Sequence, residues 1–421
     1  MMKRFFSRLH LWLSLPFGIV ITLMCFSGAM LVFENEISEW LRPELYRVEE
    51  VGGERLPAGE LAARVQRTLP DSVQVTGVTL SADPRATVRV SLSKPRRASV
   101  AVNPYTGEVV GRVERLPFFA TMFSLHRWLL GKPTASDGSM GWGKIVTGVS
   151  TLAFVFVLLS GLVAWWPRKR RVWADTLRLR WHRHAFMRWF HLHRWAGVWT
   201  AVWLLLMSLT GLMWSFKWYN RGVYALLGVE QPQQAGHGSP GEAKAVPHGG
   251  KRVDVAERGG GKAPREGRGR GRRGEATEGN PSDRRTPGRE ARRAERAEAK
   301  ATADFSCWQR VADELARRTP DYRTITLRDG KAGVSVQTMG NSRASDSYEF
   351  DPHTGRITSF TPYAEAEAAA KVRGWQFSLH TGAWGGWLTR ILYFLAALLG
   401  ATLPLTGYYI WWRKRHPLHG S

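Results

Sequence analysis

The sequence predicts a membrane α-helical bundle of four transmembrane helices, with an internal two-fold repeat and two small α+β domains outside the membrane. Three observations predict this fold: four long apolar segments, a histidine-to-glycine spacing that occurs twice, and alternating strand-like patterns between the apolar segments. A bilayer core of about 30 Å requires about 20 mostly apolar residues in one helix. Each of the four segments is that long.

The predicted spans are Leu11–Phe33, Trp142–Trp166, Leu192–Phe216 and Gly386–Trp412. The first three have no charged residue in their middle, and Arg390 lies one turn inside the fourth, where it can extend outward to the interface. A basic N-terminus before an apolar run is also the pattern of a signal peptide. This run is long for a signal peptide and lacks a good cleavage site, so we interpret it as an uncleaved span.

Basic clusters predict the orientation of the spans. They precede the first span, open the connection between the second and third at Arg168–Arg171, and follow the fourth at Arg413–Arg415. With four spans all three clusters lie on one side, and the positive-inside rule makes that side cytoplasmic. Both termini are therefore expected in the cytoplasm.

The predicted organisation follows from these spans. The first half has a span at 1–33, an outer domain at 34–116, an outer-edge segment at 117–141 with His126, a span at 142–166 and a basic cytoplasmic loop at 167–190. The second half has a span at 191–216, an outer region at 217–303, an outer domain at 304–362, an edge segment at 363–385 with His380, a span at 386–412 and a tail at 413–421. Residues 231–303 are predicted to be a disordered insertion, because they are rich in Gly, Arg and Glu and contain few large apolar residues.

Each outer domain is predicted to be one helix followed by antiparallel strands, because its apolar residues alternate with period two between Gly, Pro and Asn residues. The first has a helix at Ala58–Leu69 and strands at Val73–Leu80, Ala86–Ser93, Ala98–Asn103 and Glu108–Val113. The second has a helix at Phe305–Arg318 and strands at Tyr322–Arg328, Gly333–Thr338, Ser347–Asp351 and Arg356–Phe360.

The repeat is clearest in the spans. A hydroxyl residue and a glycine follow His10 and His193 at the same distance, and the tetrapeptide Phe-Ser-Leu-His precedes the second and fourth spans, ending at His126 and His380. The hydroxyl–glycine pairs are Ser27-Gly28, Ser160-Gly161, Thr210-Gly211 and Thr406-Gly407. Because both halves have the same membrane orientation, a pseudo-twofold axis should run along the membrane normal.

The repeat therefore selects four of the 12 histidines: His10 and His193 at the cytoplasmic edge, and His126 and His380 at the outer edge. Two imidazoles facing each other across a four-helix bundle are what six-coordinate haem iron requires. An ordinary interfacial side chain is the simpler interpretation of any one of them, and structural zinc is a third, although further zinc ligands are not evident.

Neighbouring residues leave other questions open. His191 competes with His193 for the inner position, whereas His182 and His184 are interpreted as surface residues of the basic loop. The four glycines either permit close helix packing or make room for a porphyrin. Trp12 and Trp195 each follow a repeated histidine by two residues and could line a cofactor.

At these positions the chain resembles the PepSY-associated transmembrane family of bacterial inner-membrane proteins. The resemblance depends on His10 with Ser27-Gly28, His193 with Thr210-Gly211, and the tetrapeptides Phe123–His126 and Phe377–His380. It depends also on the turns Asn103–Gly107 and Asp351–Gly355, and it covers the chain except 231–303. The arrangement is similar to iron-regulated members that include ferrisiderophore reductases of the ferrioxamine type. The resemblance implies PepSY-like outer domains, bound haem b with the four histidines as ligands, and electron transfer to ferric chelates in the periplasm.

The expected function is therefore electron transfer through two bis-histidine haems to a ferric siderophore or other ferric chelate. The expected partners are the lipid bilayer, the chelate and a separate electron donor, either quinol or a cytoplasmic reductase; no nucleic acid is expected. Two haems are expected because the histidine levels should lie nearly a bilayer apart. The alternatives are a membrane-anchored binding or protease-regulatory module and an iron or siderophore permease. The permease is disfavoured because the spans lack ionisable residues in mid-membrane.

Overall fold

The computed structural model describes residues 2–95, 98–132, 134, 139–167, 178, 184–231, 304–336 and 339–416. The cluster Arg168–Arg171, His182 and all of the predicted insertion after Gln231 lie outside the described residues.

The helices are α1 (Met2–Leu31), α2 (Glu34–Leu41), α3 (Ala58–Thr68), α4 (Pro117–Trp128), α5 (Trp142–Trp165), α6 (Ala185–Ser215), α7 (Lys217–Leu226), α8 (Trp308–Arg318), α9 (Ala368–Thr381) and α10 (Gly386–Arg415). The strands are β1 (Val75–Ser81), β2 (Val88–Leu92), β3 (Ser99–Val102), β4 (Val109–Arg112), β5 (Tyr322–Arg328), β6 (Lys331–Val336), β7 (Asp346–Phe350) and β8 (Ile357–Thr361).

Helices α1, α5, α6 and α10 are long and apolar enough to cross a membrane, which confirms the four predicted spans. Helix α1 packs against α5 and α10, and α6 packs against the same two helices. Helices α1 and α6 are therefore diagonal to each other in the bundle, as are α5 and α10. Their shared core contains Ile21, Phe154, Leu204 and Leu403.

The outer strands form one antiparallel sheet in the order β4-β3-β2-β1-β5-β6-β7-β8. The two halves meet where β1 pairs with β5, with Thr79 opposite Thr326. Helices α3 and α8 cover one face, and residues of both, such as Leu61 and Leu315, lie in a single core beneath the sheet. The two predicted α+β units at 34–116 and 304–362 each have a helix and four strands, but they share one sheet and one core. Pairing β1 with β5 satisfies backbone groups that two separate sheets would leave at open edges.

Short helices that the sequence analysis did not predict connect the sheet to the spans. Helices α2 and α7 follow the two outward spans, α1 and α6, whereas α4 and α9 precede the return spans and contain His126 and His380. Helix α4 begins with Pro117 in its first turn, a position where the missing N–H has no partner to lose. Helix α9 ends at Gly382, whose φ of 74° suits a residue without a Cβ.

Arg390, predicted to extend outward, has partners at the outer end of the bundle. Its guanidinium pairs with Glu36 of α2, donates to the carbonyl of Val32, and lies over the rings of Phe33 and Trp387. This contact ties the outer end of α1 to the beginning of α10.

Candidate functional site

The four repeated histidines lie in two pairs. His10 of α1 faces His193 of α6 across the bundle, with ring centroids 6.2 Å apart and planes at 84°. His126 of α4 faces His380 of α9, with ring centroids 6.1 Å apart and planes at 54°. Each pair combines one histidine from each half of the chain. All four rings are half-buried, so each borders space beside its pair.

These distances suit a metal ion shared by two imidazoles. Metal–nitrogen bonds of about 2 Å on each side place the two nitrogens about 4 Å apart and the ring centres about 6 Å apart. The ring centroids of both pairs have this spacing.

One nitrogen of every ring already has a partner. The Nδ1 atoms of His10, His126 and His380 lie 2.9, 2.9 and 3.0 Å from the carbonyl oxygens of Val157, Met24 and Met207, and His193 Nδ1 lies 2.8 Å from Thr406 Oγ1. An Nδ1–H that donates to these oxygens fixes the tautomer and leaves the Nε2 lone pair for a metal. Ligating histidines in proteins commonly have this arrangement.

The hydroxyl–glycine pairs contribute to the same contact. In each case one residue offers its backbone carbonyl to the imidazole. The hydroxyl residue follows it three positions later, and the glycine four positions later. The carbonyl residues are Met24, Val157, Met207 and, for His193, Leu403. The hydroxyls of Ser27, Ser160, Thr210 and Thr406 bond back to those carbonyls.

The four glycines make room for the imidazole rings. A Cβ at Gly28 would lie 2.9 Å from His126 Cε1, one at Gly161 3.1 Å from His10 Cε1, and one at Gly211 3.2 Å from His380 Cε1. At Gly407 the corresponding distance to His193 Cε1 is 3.7 Å. Beside the two roles considered from the sequence, the structure adds a third. Gly28, Gly161 and Gly211 each let an imidazole approach the helix backbone.

Each ring is held by the other spanning helix of its own half. His10 of α1 contacts α5, and His126, which precedes α5, contacts α1; in the second half His193 contacts α10 and His380 contacts α6. Each half of the chain thus orients one imidazole at each level, and the two halves together complete both pairs.

The structure provides no additional protein ligands for a bare metal ion. Among the described residues, no group of three or more His, Cys, Asp or Glu side chains could hold one. Structural zinc requires four protein ligands and is therefore not supported. Two opposed imidazoles instead fit a metal whose remaining ligands come from a porphyrin.

The outer pair has an aromatic neighbour. Trp214 of α6 contacts His380 edge to face, with ring centroids 5.0 Å apart. Both outer histidines belong to short helices that precede the return spans.

Three cations that the sequence analysis did not single out lie beside the outer pair. Arg127 follows His126 directly, and its carbonyl accepts a hydrogen bond from Thr147 of α5. Lys144 in the first turn of α5 lies close enough to Arg127 and Lys217 for their charges to interact. Within the described part of the chain, no carboxylate pairs with Lys144 or Lys217. An anion near Lys144 and Lys217 would relieve the repulsion between these two charges.

The remaining sequence candidates lie elsewhere. His193, and not His191, faces His10; His191 contacts the ring of Phe190. His184 is exposed before the start of α6, as expected for a surface residue. Trp12 is 73% exposed on the outside of the bundle and cannot line a site between the helices. Trp195 packs against the bundle core.

The two pairs are closer together than the sequence analysis expected. The outer rings contact α1 at Met24 and α6 at Met207, each 14 residues after the inner histidine of the same helix. At 1.5 Å per residue, the levels are separated by about 21 Å along the helices. His126 and His380 therefore reach into the bundle and do not remain at its outer edge.

Comparison with protein families matches residues 7–414 to the PepSY-associated TM region. The chain belongs to this family. The match includes all four paired histidines, so the whole site of this PepSY-associated protein lies within the region that defines the family. A search among curated proteins finds no match.

Proposed function

We propose that this PepSY-associated protein is a haem-containing electron-transfer protein of the bacterial inner membrane. It would reduce ferric siderophores or other ferric chelates on the periplasmic side and release Fe(II). The observation that carries the proposal is the pair of opposed imidazoles at each of two levels, with ring centroids 6.2 and 6.1 Å apart and every Nδ1 engaged by the protein.

The residues present fit haem b at both levels. His10 and His193 would hold an inner haem, and His126 and His380 would hold an outer haem. Bound haem supplies reversible one-electron chemistry. Arg127 and Lys144 beside the outer pair would attract the propionate carboxylates of the porphyrin, which orients it in the bundle.

Two haem sites divide the distance across the membrane. The rate of electron tunnelling falls steeply with distance. The two histidine levels are about 21 Å apart along the helices, so two haem sites carry an electron across the apolar core better than one. The duplication predicted from the sequence would explain why there are two histidine pairs, because each half of the chain contributes one imidazole to each level.

The chemistry suits release of iron from a chelate. Hard oxygen ligands hold Fe(III) tightly and hold Fe(II) less well, so adding one electron weakens the complex without breaking a covalent bond of the carrier. The electron comes from a separate donor, a quinol or a cytoplasmic reductase, and each electron converts one Fe(III) to Fe(II). With both termini in the cytoplasm, the inner pair lies on the donor side.

The proposal is tested by loading the full-length protein with haem, reducing it anaerobically and adding Fe(III) chelates. Reoxidation of the haem is followed optically while a colour-forming Fe(II) chelator measures the product. We expect one Fe(II) for each haem reoxidised. Protein that stays reduced with every ferric chelate tested, or that binds no haem at all, would contradict the proposal.

The variant His126→Ala distinguishes the role of the outer histidine pair from that of the inner pair. His184→Ala is the matched control, because His184 is exposed and belongs to neither pair. His126→Ala is expected to slow Fe(II) production at least about tenfold and to leave the inner haem in place, since truncating a metal ligand or its support commonly costs about 10–100-fold. His184→Ala should behave like the wild type.

A further inference from the structure

Among the described residues, helices pack on one face of the outer sheet and leave the other face uncovered. Side chains alternate between the two faces of a sheet, and Val78, Val90, Ile325 and Leu327 point into the core beneath α3 and α8. The intervening residues therefore point to the opposite face, which we call the open face. Cross-strand pairing places Arg89, Thr79, Thr326, Gly333 and Ser347 side by side in one row across it.

The middle of the open face is polar and lies where the two halves of the chain meet. Thr79 of β1 and Thr326 of β5 are directly opposite, and their hydroxyls lie 3.1 Å apart. Both hydroxyls are half-buried and retain capacity for a further hydrogen bond. Ser91 and Gly77 continue the same surface in the next row.

Two guanidinium groups flank this pair. Arg89 is opposite Thr79 on β2, and Arg328 follows Thr326 by two residues on β5, so both point to the open face. Arg89 lies over the ring of Tyr46, with 5.0 Å from Cζ to the ring centroid. Among the described residues, neither arginine forms an ion pair, whereas Lys331 on the same face is paired with Glu349. The open face therefore carries two uncompensated positive charges.

Segments that continue into the membrane domain border the open face. On one side Leu45, soon after α2, contacts Gly111 of β4. On the other side Ser345 contacts Gly333 of β6. The chain just before Ser345 bonds to the membrane domain, from Gly340 N to the carbonyl of Trp384 and from Ser342 to Ser378, two residues before His380. The open face is thus directly connected to the helix that holds an outer imidazole.

We propose that the open face, centred on Thr79 and Thr326, binds an anionic, oxygen-rich ferric chelate. This inference rests on the proposed function and names the class of chelate. Guanidinium groups bind carboxylate and similar oxygen anions through charged hydrogen bonds, and hydroxyls bond to the remaining oxygens. The uncompensated charge favours an anionic chelate over a neutral or cationic one. The open face binds the chelate, and the electron comes from the donor through the membrane domain.

Binding and reduction are tested separately on the full-length protein in lipid nanodiscs. Equilibrium dialysis measures binding of Ga(III)–citrate, which is redox-inert, and stopped-flow optics measures reoxidation of the reduced protein by Fe(III)–citrate and by a neutral Fe(III) trihydroxamate. In Arg89→Gln/Arg328→Gln, we expect Ga(III)–citrate binding to weaken at least about tenfold. The half-saturating Fe(III)–citrate concentration should rise similarly, with the trihydroxamate much less affected and the haem spectrum unchanged.

Two further double variants test whether the hydroxyls of Thr79 and Thr326 contribute to binding. Thr79→Val/Thr326→Val should weaken citrate binding by a smaller factor, and Thr79→Ser/Thr326→Ser, which keeps both hydroxyls, should restore it. Arg67→Gln is the matched control, because Arg67 is an exposed guanidinium on α3, the helix that covers the other face. It should leave binding unchanged.

The inference is overturned if the wild type does not bind Ga(III)–citrate, if the double arginine variant binds it as tightly, or if Arg67→Gln weakens it equally. Wild-type protein without haem would instead contradict the proposed function, while the dialysis would still decide whether the open face binds the chelate.

Discussion

At the residue scale, each imidazole is held by a backbone carbonyl, a hydroxyl bonded to that carbonyl and the space beside a glycine. The hydroxyl stays close to the helix backbone, so the polar group has a partner inside the bundle. The histidines and the hydroxyl–glycine pairs could be predicted from the sequence because they recur at fixed spacing. The contacts between glycines and rings could not, because each ring comes from a different helix and local spacing carries no information on that contact.

The glycines give a graded prediction. Alanine should be most harmful at Gly28, where the added Cβ would lie 2.9 Å from His126 Cε1, and nearly neutral at Gly407, where the distance to His193 Cε1 is 3.7 Å. Overpacking costs about 1–3 kcal/mol, so Gly28→Ala should lose the outer haem and lower the melting temperature. Gly161→Ala and Gly211→Ala should be intermediate.

Haem content and thermal unfolding check this series. Gly197→Ala is the control, since the nearest atom to its added Cβ, Leu403 Cδ2, is 4.0 Å away. Equal haem loss at all four positions, or loss in Gly197→Ala, would show that the imidazole contacts are not the reason for the glycines.

Thr406 gives a second prediction at this scale. Its hydroxyl is 2.8 Å from His193 Nδ1. The hydroxyl of Thr210 is 3.2 Å from His380 Nδ1, farther than the carbonyl oxygen of Met207 at 3.0 Å. An Nδ1–H that donates makes the imidazole a more basic ligand and so favours Fe(III). Thr406→Val should therefore raise the midpoint potential of one haem by a few tens of millivolts, and Thr210→Val should change it less. Spectroelectrochemical titration measures both; equal shifts would contradict the assignment.

At the element scale, the most informative feature is the single sheet formed by both halves of the chain. The sequence analysis placed the strands within a few residues, because their alternation is local. It missed the pairing of β1 with β5, since those strands are about 250 positions apart and no local pattern specifies which strand covers an edge.

A cross-link tests this pairing. Thr79→Cys/Thr326→Cys should form a disulfide on mild oxidation, because these residues are directly opposite and their native hydroxyls are 3.1 Å apart. After cleavage at a protease site engineered between Gly260 and Gly261, the two fragments should stay together on a non-reducing gel. Arg89→Cys/Thr326→Cys, two strands apart, should not cross-link. Separation of the fragments in both variants would indicate two independent outer domains.

The ion pair between Arg390 and Glu36 gives a prediction with a pH dependence. Burial opposes ionisation of Glu36, but the guanidinium of Arg390 outweighs it and lowers its pKa below the ordinary 4.5. A lowered native pKa adds stability that is present above pH 4.5 and is lost as the pH falls through the native value. The side chains are 18% and 33% exposed, so solvent screening limits the contribution to about 1 kcal/mol.

Thermal unfolding in nanodiscs between pH 7 and pH 3 measures this contribution. Glu36→Gln should lower the melting temperature at pH 7 and match the wild type at the acid end. Glu114→Gln is the control, because its pair with Arg112 is longer, at 3.7 Å, and more than half exposed. A difference between Glu36→Gln and wild type that persists undiminished at low pH would exclude the charge as its cause.

At the scale of the whole molecule, the predicted spans and family membership are confirmed, whereas the level spacing and the outer architecture required the structure. Long apolar segments are recognisable from composition alone. The depth of His126 and His380 in the membrane could not be recognised from composition. Both belong to short helices that were predicted to be edge segments. Those helices place the outer imidazoles beside Met24 and Met207, well inside the spans.

The reduced-minus-oxidised optical spectrum of the purified protein, combined with haem and protein quantitation, shows whether the paired histidines hold haem. We expect b-type haem bands with two haems per chain, and one haem per chain when any one of His10, His126, His193 or His380 is changed to alanine. Protein expressed with ample haem that shows no haem band, or that keeps both haems in these four variants, would contradict it.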